Sequence, residues 1–269
     1  MRLGWGDRVA RLNNRDLERA LALCEVDPAA SVLAAVHLDT LTWGSSAMLG
    51  YLESGEVQSL LWSGSNTVPV GTTAAQRAKY ARFLGGRVRR ASSIVGPSEE
   101  ALDLARLLED SWGRPEEVRA DQPNMVATTT SYRPDPLVRP ARSEDGPMVA
   151  PASVAMYTEE VGYDPTVYGP GYVSRVFQLC KRGHTFIRTG IGPDGRERVE
   201  FKADIGALAL GVAQIQGVWT APDLRGRGLA SAGMAAVIQL VTATIAPKVS
   251  LYVNCLLYTS DAADDIALV

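Results

Sequence analysis

The sequence predicts an α/β fold in two domains, each alternating strands with helices. Three observations carry this. The chain has 269 residues, enough for two compact domains of ordinary size. Strand-like and helix-like stretches alternate through both halves, and between them Tyr132 to Pro147 gathers four prolines with charges, as a passage between domains or along an edge does. Finally, an apolar strand, a glycine-rich turn and a long apolar helix follow one another between Gly211 and Ala246.

In the first half, Asn14 to His37 reads as helix, interrupted by the turn Asp27-Pro28. Ala47 to Glu53 and Val57 to Ser63 are strand-like runs around Ser54-Gly55, a hairpin signal. Asn66 to Val70 is a further strand. Thr72 to Gly85 is an amphipathic helix with Ala75, Ala78, Tyr80, Ala81 and Leu84 as inward candidates. Ser92 to Val95 is strand-like, and Ser98 to Trp112 is a helix opened by a capping Ser98 with Glu99 and Glu100 in its first turn. The segment up to Thr130 is expected to close this sheet. His37 reads as a histidine without a special role.

In the second half, Met148 to Val161 is helical, with Tyr157, Glu159 and Glu160 toward its end. A Gly/Pro/Tyr-rich loop follows, then helix from Tyr172 to Arg182, strand from His184 to Thr189, the turn Pro193-Asp194-Gly195 and strand from Val199 to Leu208. Lys202 and Asp204 share one face of that strand and are expected to pair with each other or with water rather than with substrate. From Gly211 the chain reads GVAQIQGVWTAPDLRGRGLA. Val212, Ile215, Val218 and Trp219 make an apolar strand, with Gln214 and Gln216 on one face. Pro222 ends it, Asp223 is a fair helix N-cap, and Arg225-Gly226-Arg227-Gly228-Leu229-Ala230 leads into the helix.

A glycine-rich turn feeding a helix N-terminus is an anion site, because the first N–H groups of a helix lack partners and carry the positive end of its dipole. Glycines at 226 and 228 let a pyrophosphate approach the backbone, and Arg225 and Arg227 add charge. The stretch lacks the G-x-x-x-x-G-K-[ST] of a P-loop, and it does not have the dinucleotide fingerprint with its acidic residue ~20 positions on.

Composition sets the outer limits. An apolar fraction of 46% and a charged fraction of 21% are those of a soluble globular protein. A net charge of -3 without a basic stripe argues against a nucleic-acid partner. Three cysteines and two histidines at scattered spacings fit no disulfide framework and no metal site, so a reducing cytoplasm and no metal are expected. No window approaches the ~18 uninterrupted apolar residues of a membrane span, which leaves a soluble, unexported chain as the expectation. Monomer and homodimer both stay open.

The order V-x-x-x-P-x-x-R-G-R-G-x-A resembles the signature of the GNAT superfamily of N-acetyltransferases, and the landmarks SSIVGP, DPLVRPAR, TEEVG, FKADIGA, QIQGVW and LRGRGLA are similar to those of two-domain bacterial members. Those members carry a degenerate GNAT-like half ahead of a recognisable one. The resemblance implies an α/β (α+β) fold of two GNAT-like domains, each a mixed and mostly antiparallel sheet flanked by helices: a degenerate domain over residues 1–134 and an acetyltransferase domain over 135–254. It also implies acetyl-CoA as donor co-substrate and an unidentified primary amine as acceptor. Arg225, Gly226, Arg227, Gly228, Leu229 and Ala230 would wrap the pyrophosphate, and the backbone of Val218, Trp219 and Thr220 would pair with the pantetheine arm and hold the oxyanion.

An ammonium is no nucleophile at neutral pH, so a base is needed. The candidates are Glu160 or its neighbour Glu159, or a water held by Gln216 or Gln214. A CoA-binding or regulatory module without transfer activity is the competing reading. After the strand-like PKVSLYVN, the family pattern calls for an asparagine and then a helix bearing an alanine and a tyrosine. Residues 255–269, CLLYTSDAADDIALV, resemble a translated sequencing adapter instead. That implies a non-native tail, a C-terminally truncated domain, and accidental status for Cys255 and Tyr258.

Overall fold

The computed structural model describes residues 7–38 and 47–253, and the chain divides into two compact units, Met1–Gln122 and Pro123–Val269. Cys255, Tyr258 and the adapter-like tail lie outside the described residues. Among the described residues no helix is long and apolar enough to cross a membrane.

Unit 1 runs β1 (Arg8–Arg11), α1 (Leu17–Cys24), α2 (Pro28–Ala35), β2 (Ala47–Glu53), β3 (Glu56–Ser63), β4 (Asn66–Val70), α3 (Ala74–Gly85), β5 (Ser93–Ile94) and α4 (Ser98–Trp112). Its sheet has the order β1-β2-β3-β4-β5, antiparallel except for the parallel pair β4 and β5 that α3 connects. Leu49, Leu61, Tyr80, Leu84, Leu104 and Leu108 form its core against α3 and α4.

The inward face of α3 differs from expectation: Ala75 and Ala78 are exposed, and Arg77 is buried at 2% exposure. Its guanidinium donates to Asp103 at 2.7 Å, to Glu99 at 3.1 Å and to the Thr72 carbonyl at 2.7 Å. Those bonds offset the desolvation of the charge. Ser98 does not cap α4, since Pro97 holds the N-cap position and the Ser98 hydroxyl donates to the Ala120 carbonyl instead. At the start of α3, Thr73 caps the helix reciprocally with Gln76. The Glu100 carboxylate accepts from the Thr72 N–H at 2.8 Å and from its hydroxyl at 2.5 Å. His37 stacks on Trp62, and burial lowers its pKa.

Unit 2 runs β6 (Asn124–Ala127), β7 (Arg139–Pro140), α5 (Gly146–Val161), α6 (Gly171–Lys181), β8 (Thr185–Ile191), β9 (Glu197–Ala209), β10 (Val212–Thr220), α7 (Leu229–Thr244) and β11 (Lys248–Tyr252). The sheet order is β6-β11-β10-β9-β8-β7, antiparallel except for β10 and β11, which α7 connects. Here β6 corrects the expectation that the segment up to Thr130 closes the first sheet: it pairs with β11. Both units therefore repeat one plan, an antiparallel meander ending in a helix-linked parallel pair.

The sheet of unit 2 is covered on both faces. Met234, Val237, Ile238 and Val241 of α7 pack on Phe201, Ala203, Ile205, Ala213 and Ile215. On the other face, Val149 and Ala152 of α5 and Val176 and Cys180 of α6 meet Ile187 and Val199. Each large aliphatic so buried contributes about 1.5–3 kcal/mol.

The proline-rich segment is anchored rather than free. Asp135 donates its N–H to the Ala232 carbonyl on α7, and its carboxylate pairs with Arg188 at 3.4 Å. Asp145 accepts both Arg139 guanidinium N–H groups, at 2.7 and 2.9 Å, and the Arg142 N–H at 2.7 Å. These bonds, Arg139 first, hold its carboxyl below the ordinary 3.8. Asp145→Asn is expected to destabilise the unit by about 1–2 kcal/mol in urea unfolding, the low part of the range for charged hydrogen bonds because Arg139 is partly exposed. With the folded value depressed, this stabilisation is present above 3.8 and is lost as pH falls through the lower folded value, so the parent and the variant should converge in acid.

Candidate functional site

The site is built on β10, where strand geometry and sequence diverge from simple alternation. Ala213 and Ile215 face α7, while Gln214 and Gln216 share the α5 face, with the Gln216 amide donating to Gln214 at 3.0 Å. Beyond them the pairing with β9 slips between Gln216 and Trp219, and Gly217 takes φ +61°. This is a bulge of the type that needs glycine in the left-handed region. It shifts the alternation by one residue, so Val218 packs against the α7 core and Trp219 against the α5 and α6 core.

On its other edge, β10 pairs in parallel with β11 over Val212, Ala213 and Gln214 only. Among the described residues no strand is registered against that edge from Ile215 to Thr220. The two strands run together and then part. Backbone donors and acceptors along this edge have no strand partner among the described residues, and an extended ligand can supply one.

The edge leads directly into the glycine turn. Pro222–Leu224 form one 3-10 turn, Gly226 has φ +68°, and Gly228, at φ +72°, is the N-cap of α7 with no side-chain cap bond. Asp223 does not cap this helix; its carboxylate is bound bidentately by Arg198 at 2.9 and 2.6 Å. The first N–H groups of α7 thus follow a glycine-rich, basic turn and have no side-chain cap.

The two arginines differ. Arg225 donates to the Thr220 carbonyl at 3.0 Å and to Glu159 at 2.7 Å, so it ties the turn to the end of α5. Arg227 is exposed and makes no hydrogen bond or ion pair among the described residues. Glu159 is committed to Arg225 and lies 3.5 Å from the Trp219 indole N–H. Glu160 is exposed at the end of α5.

Near the end of α5 four tyrosines cluster: Tyr157, which the sequence places on the helix, and three that it signals only as a Gly/Pro/Tyr-rich loop. Tyr157 stacks edge-on against Tyr163 and Tyr172, and Tyr163 against Tyr168. The Tyr157 and Tyr163 hydroxyls are 2.8 Å apart, a bond that with burial pushes the Tyr157 phenol up to about 12. Burial first, then the Asp204 charge, pushes Tyr172 to about 12 as well. Both phenols keep their protons at neutral pH and cannot serve as bases there.

Beneath the bulge, Lys202 and Asp204 pair at 2.6 Å, as their spacing on β9 predicts. Lys202 is fully buried and also donates to the Gly217 carbonyl at 2.9 Å. Among the described residues no group of three His, Cys, Asp or Glu side chains could hold a metal ion.

The structure thus brings Gln216, Val218, Trp219, Thr220 and Arg225 to Ala230 along one continuous edge and turn. No curated protein matches the chain in sequence. A protein-family model described as a domain of unknown function (DUF4081) matches residues 46–149. Among solved structures, one described as an acetyltransferase from the GNAT family from Colwellia psychrerythraea superposes with a TM-score of 0.52 at 12% identity, covering 97% of this chain and 94% of that one. A second, a conserved protein of unknown function and probable N-acyltransferase from Enterococcus faecalis V583, has a TM-score of 0.34 at 10% identity, covering 91% of this chain and 64% of that one. With two mixed sheets flanked by helices and the overlap with the Colwellia psychrerythraea protein, the chain has the fold of GNAT-family proteins.

Proposed function

We propose that the chain is an acetyl-CoA-dependent N-acetyltransferase of the GNAT type that acts on a primary amine in the cytoplasm. The observation that carries this reading is the parting of β10 from β11 after Gln214, directly upstream of the glycine turn at the N-terminus of α7. A strand edge followed by an uncapped helix start suits a ligand with an amide-bearing arm and a pyrophosphate. The pantetheine amides pair with the backbone of Val218 to Thr220, and the pyrophosphate sits on Gly226 to Ala230 with Arg227 as its charge partner. Arg225 acts mainly by holding the turn to Glu159. In domain terms, the unit that begins at Pro123 carries the transfer, and the unit that ends at Gln122 is a degenerate copy.

In the reaction, the amine nitrogen attacks the thioester carbonyl carbon, the C–S bond breaks, and CoA leaves as a thiolate that takes up the second proton the nitrogen sheds as the amide forms. The nucleophile first loses a proton to Glu160, directly or through a water on Gln216. Glu159, paired with Arg225, is the second carboxylate candidate. Backbone N–H at the bulge steadies the oxyanion, a contribution of the kind worth about 10²–10³ in rate.

The test combines calorimetry with thiol release. Saturable acetyl-CoA binding and free thiol with at least one amine of a panel are expected. Binding without thiol release across the panel would turn the reading to a CoA-binding module, and absence of binding would end both. Arg227→Glu is expected to weaken acetyl-CoA binding by about 10-fold, the scale of one exposed charge-assisted contact replaced by repulsion, without moving the melting temperature.

A further inference from the structure

The buried pair Lys202 and Asp204 has no partner role in the proposed chemistry, yet it sits against the bulge that the chemistry uses. Lys202 is fully buried, and its ammonium donates to Asp204 at 2.6 Å and to the Gly217 carbonyl at 2.9 Å, with the Met156 sulfur at 3.8 Å. Asp204 in turn accepts from the Thr185 hydroxyl at 2.8 Å. A Cβ on Gly217 would meet Asp204 Oδ2 at 2.9 Å, Met156 Sδ at 3.1 Å and Lys202 Nζ at 3.2 Å, so the pair closes over this one peptide.

An ion pair this deep is poor value as a stabilising device, since apolar residues of similar volume do as well or better. What it can do is fix direction. In a planar trans peptide, the C=O of one residue and the N–H of the next point opposite ways. A Gly217 carbonyl drawn onto Lys202 therefore turns the Val218 N–H away from the Lys202 ammonium.

We infer that Lys202, held by Asp204 and through it by Thr185, is a positioning residue: it sets the Gly217–Val218 peptide so that the Val218 N–H projects from the open edge of β10 onto the thioester carbonyl of the acyl donor. The inference rests on the proposed acetyl-CoA reading. It adds a role that neither the glycine turn nor the carboxylates supply. Lys202 never touches the donor; it acts through the backbone.

The decisive variant is the double substitution Lys202→Met with Asp204→Leu, which removes both charges and leaves no unpaired buried carboxylate. Full-length parent and variant are compared by thermal melting, by calorimetry with acetyl-CoA, and by carbon NMR of acetyl-CoA labelled at the acetyl carbonyl. The parent should shift the carbonyl resonance downfield, as a hydrogen bond to that oxygen does. The variant should bind acetyl-CoA within a few-fold of the parent, yet leave the resonance near its free position. Where an amine is turned over, kcat should fall by about 10²-fold with little change in KM. Lys202→Arg, which can still reach a carbonyl, should recover part of the shift. An identical downfield shift in parent and double variant overturns the positioning role while leaving the acetyl-CoA reading intact. Failure of the parent to bind acetyl-CoA overturns the reading beneath it. If the double variant does not fold, Thr185→Val, which loosens Asp204 alone, carries the same comparison, and an unchanged shift there overturns the role.

Discussion

Replacing Gly228 with valine is expected to remove acetyl-CoA binding while leaving the fold in place. Gly228 is the N-cap of α7 at φ +72°, a conformation that a β-branched residue adopts only at a cost of about 1–3 kcal/mol. No heavy atom lies within 4 Å of the position a Cβ would take, so the substitution meets open space and not the core. The strain is relieved by re-forming the turn, and that swings the N–H groups from Arg227 to Ala230 off their common target. Loss of two or more charge-assisted backbone bonds is expected to weaken binding by about 100-fold or more. Calorimetry on the full chain, with melting as a control, checks it. Parent-like affinity in a folded Gly228→Val protein would take the turn out of the binding site.

The second large effect is on stability. Phe201 is fully buried on β9 in the cluster that joins the sheet to α7. Phe201→Ala leaves a cavity between strand and helix, and the expected loss is about 3–5 kcal/mol. Because α7 begins at the glycine turn, the loss falls on the element that carries the proposed anion site. Hydrogen exchange of the β9 and α7 amides should accelerate together, and urea unfolding should shift to lower denaturant. An unchanged midpoint would show that this ring does not hold helix to sheet.

Much of the architecture was legible because its signals are local. The hairpin around Ser54-Gly55 and the helix from Ser98 to Trp112 follow from turn chemistry and apolar period, and the structure has both. The Lys202 and Asp204 pair was legible for the same reason, since alternate residues of a strand share a face. What stayed hidden depends on contacts distant in sequence. Arg77 looks like a surface residue of α3 until Asp103 and Glu99 arrive from α4. Asp223 reads as a helix cap until Arg198 of β9 claims it. Strand β6 has nothing in its four residues to say which sheet it joins; the partner, β11, lies more than a hundred residues on. In the candidate site, the glycines and arginines are visible in the sequence. The commitment of Arg225 to Glu159 is not, because 66 positions separate them.

One detail of unit 1 bears on how many nucleotides a chain can hold. Where unit 2 has glycines and an uncapped helix start after its last meander strand, unit 1 has Gly71-Thr72-Thr73, with Thr73 bound to Gln76 and Thr72 to the Glu100 carboxylate. The first copy of the plan supplies its own anion and so has no vacancy for another. Two scaffolds of one design thus stand in a single polypeptide as a matched pair, one sealed by a side chain and one open, and a titration of the intact protein should saturate at one equivalent of acetyl-CoA, not two.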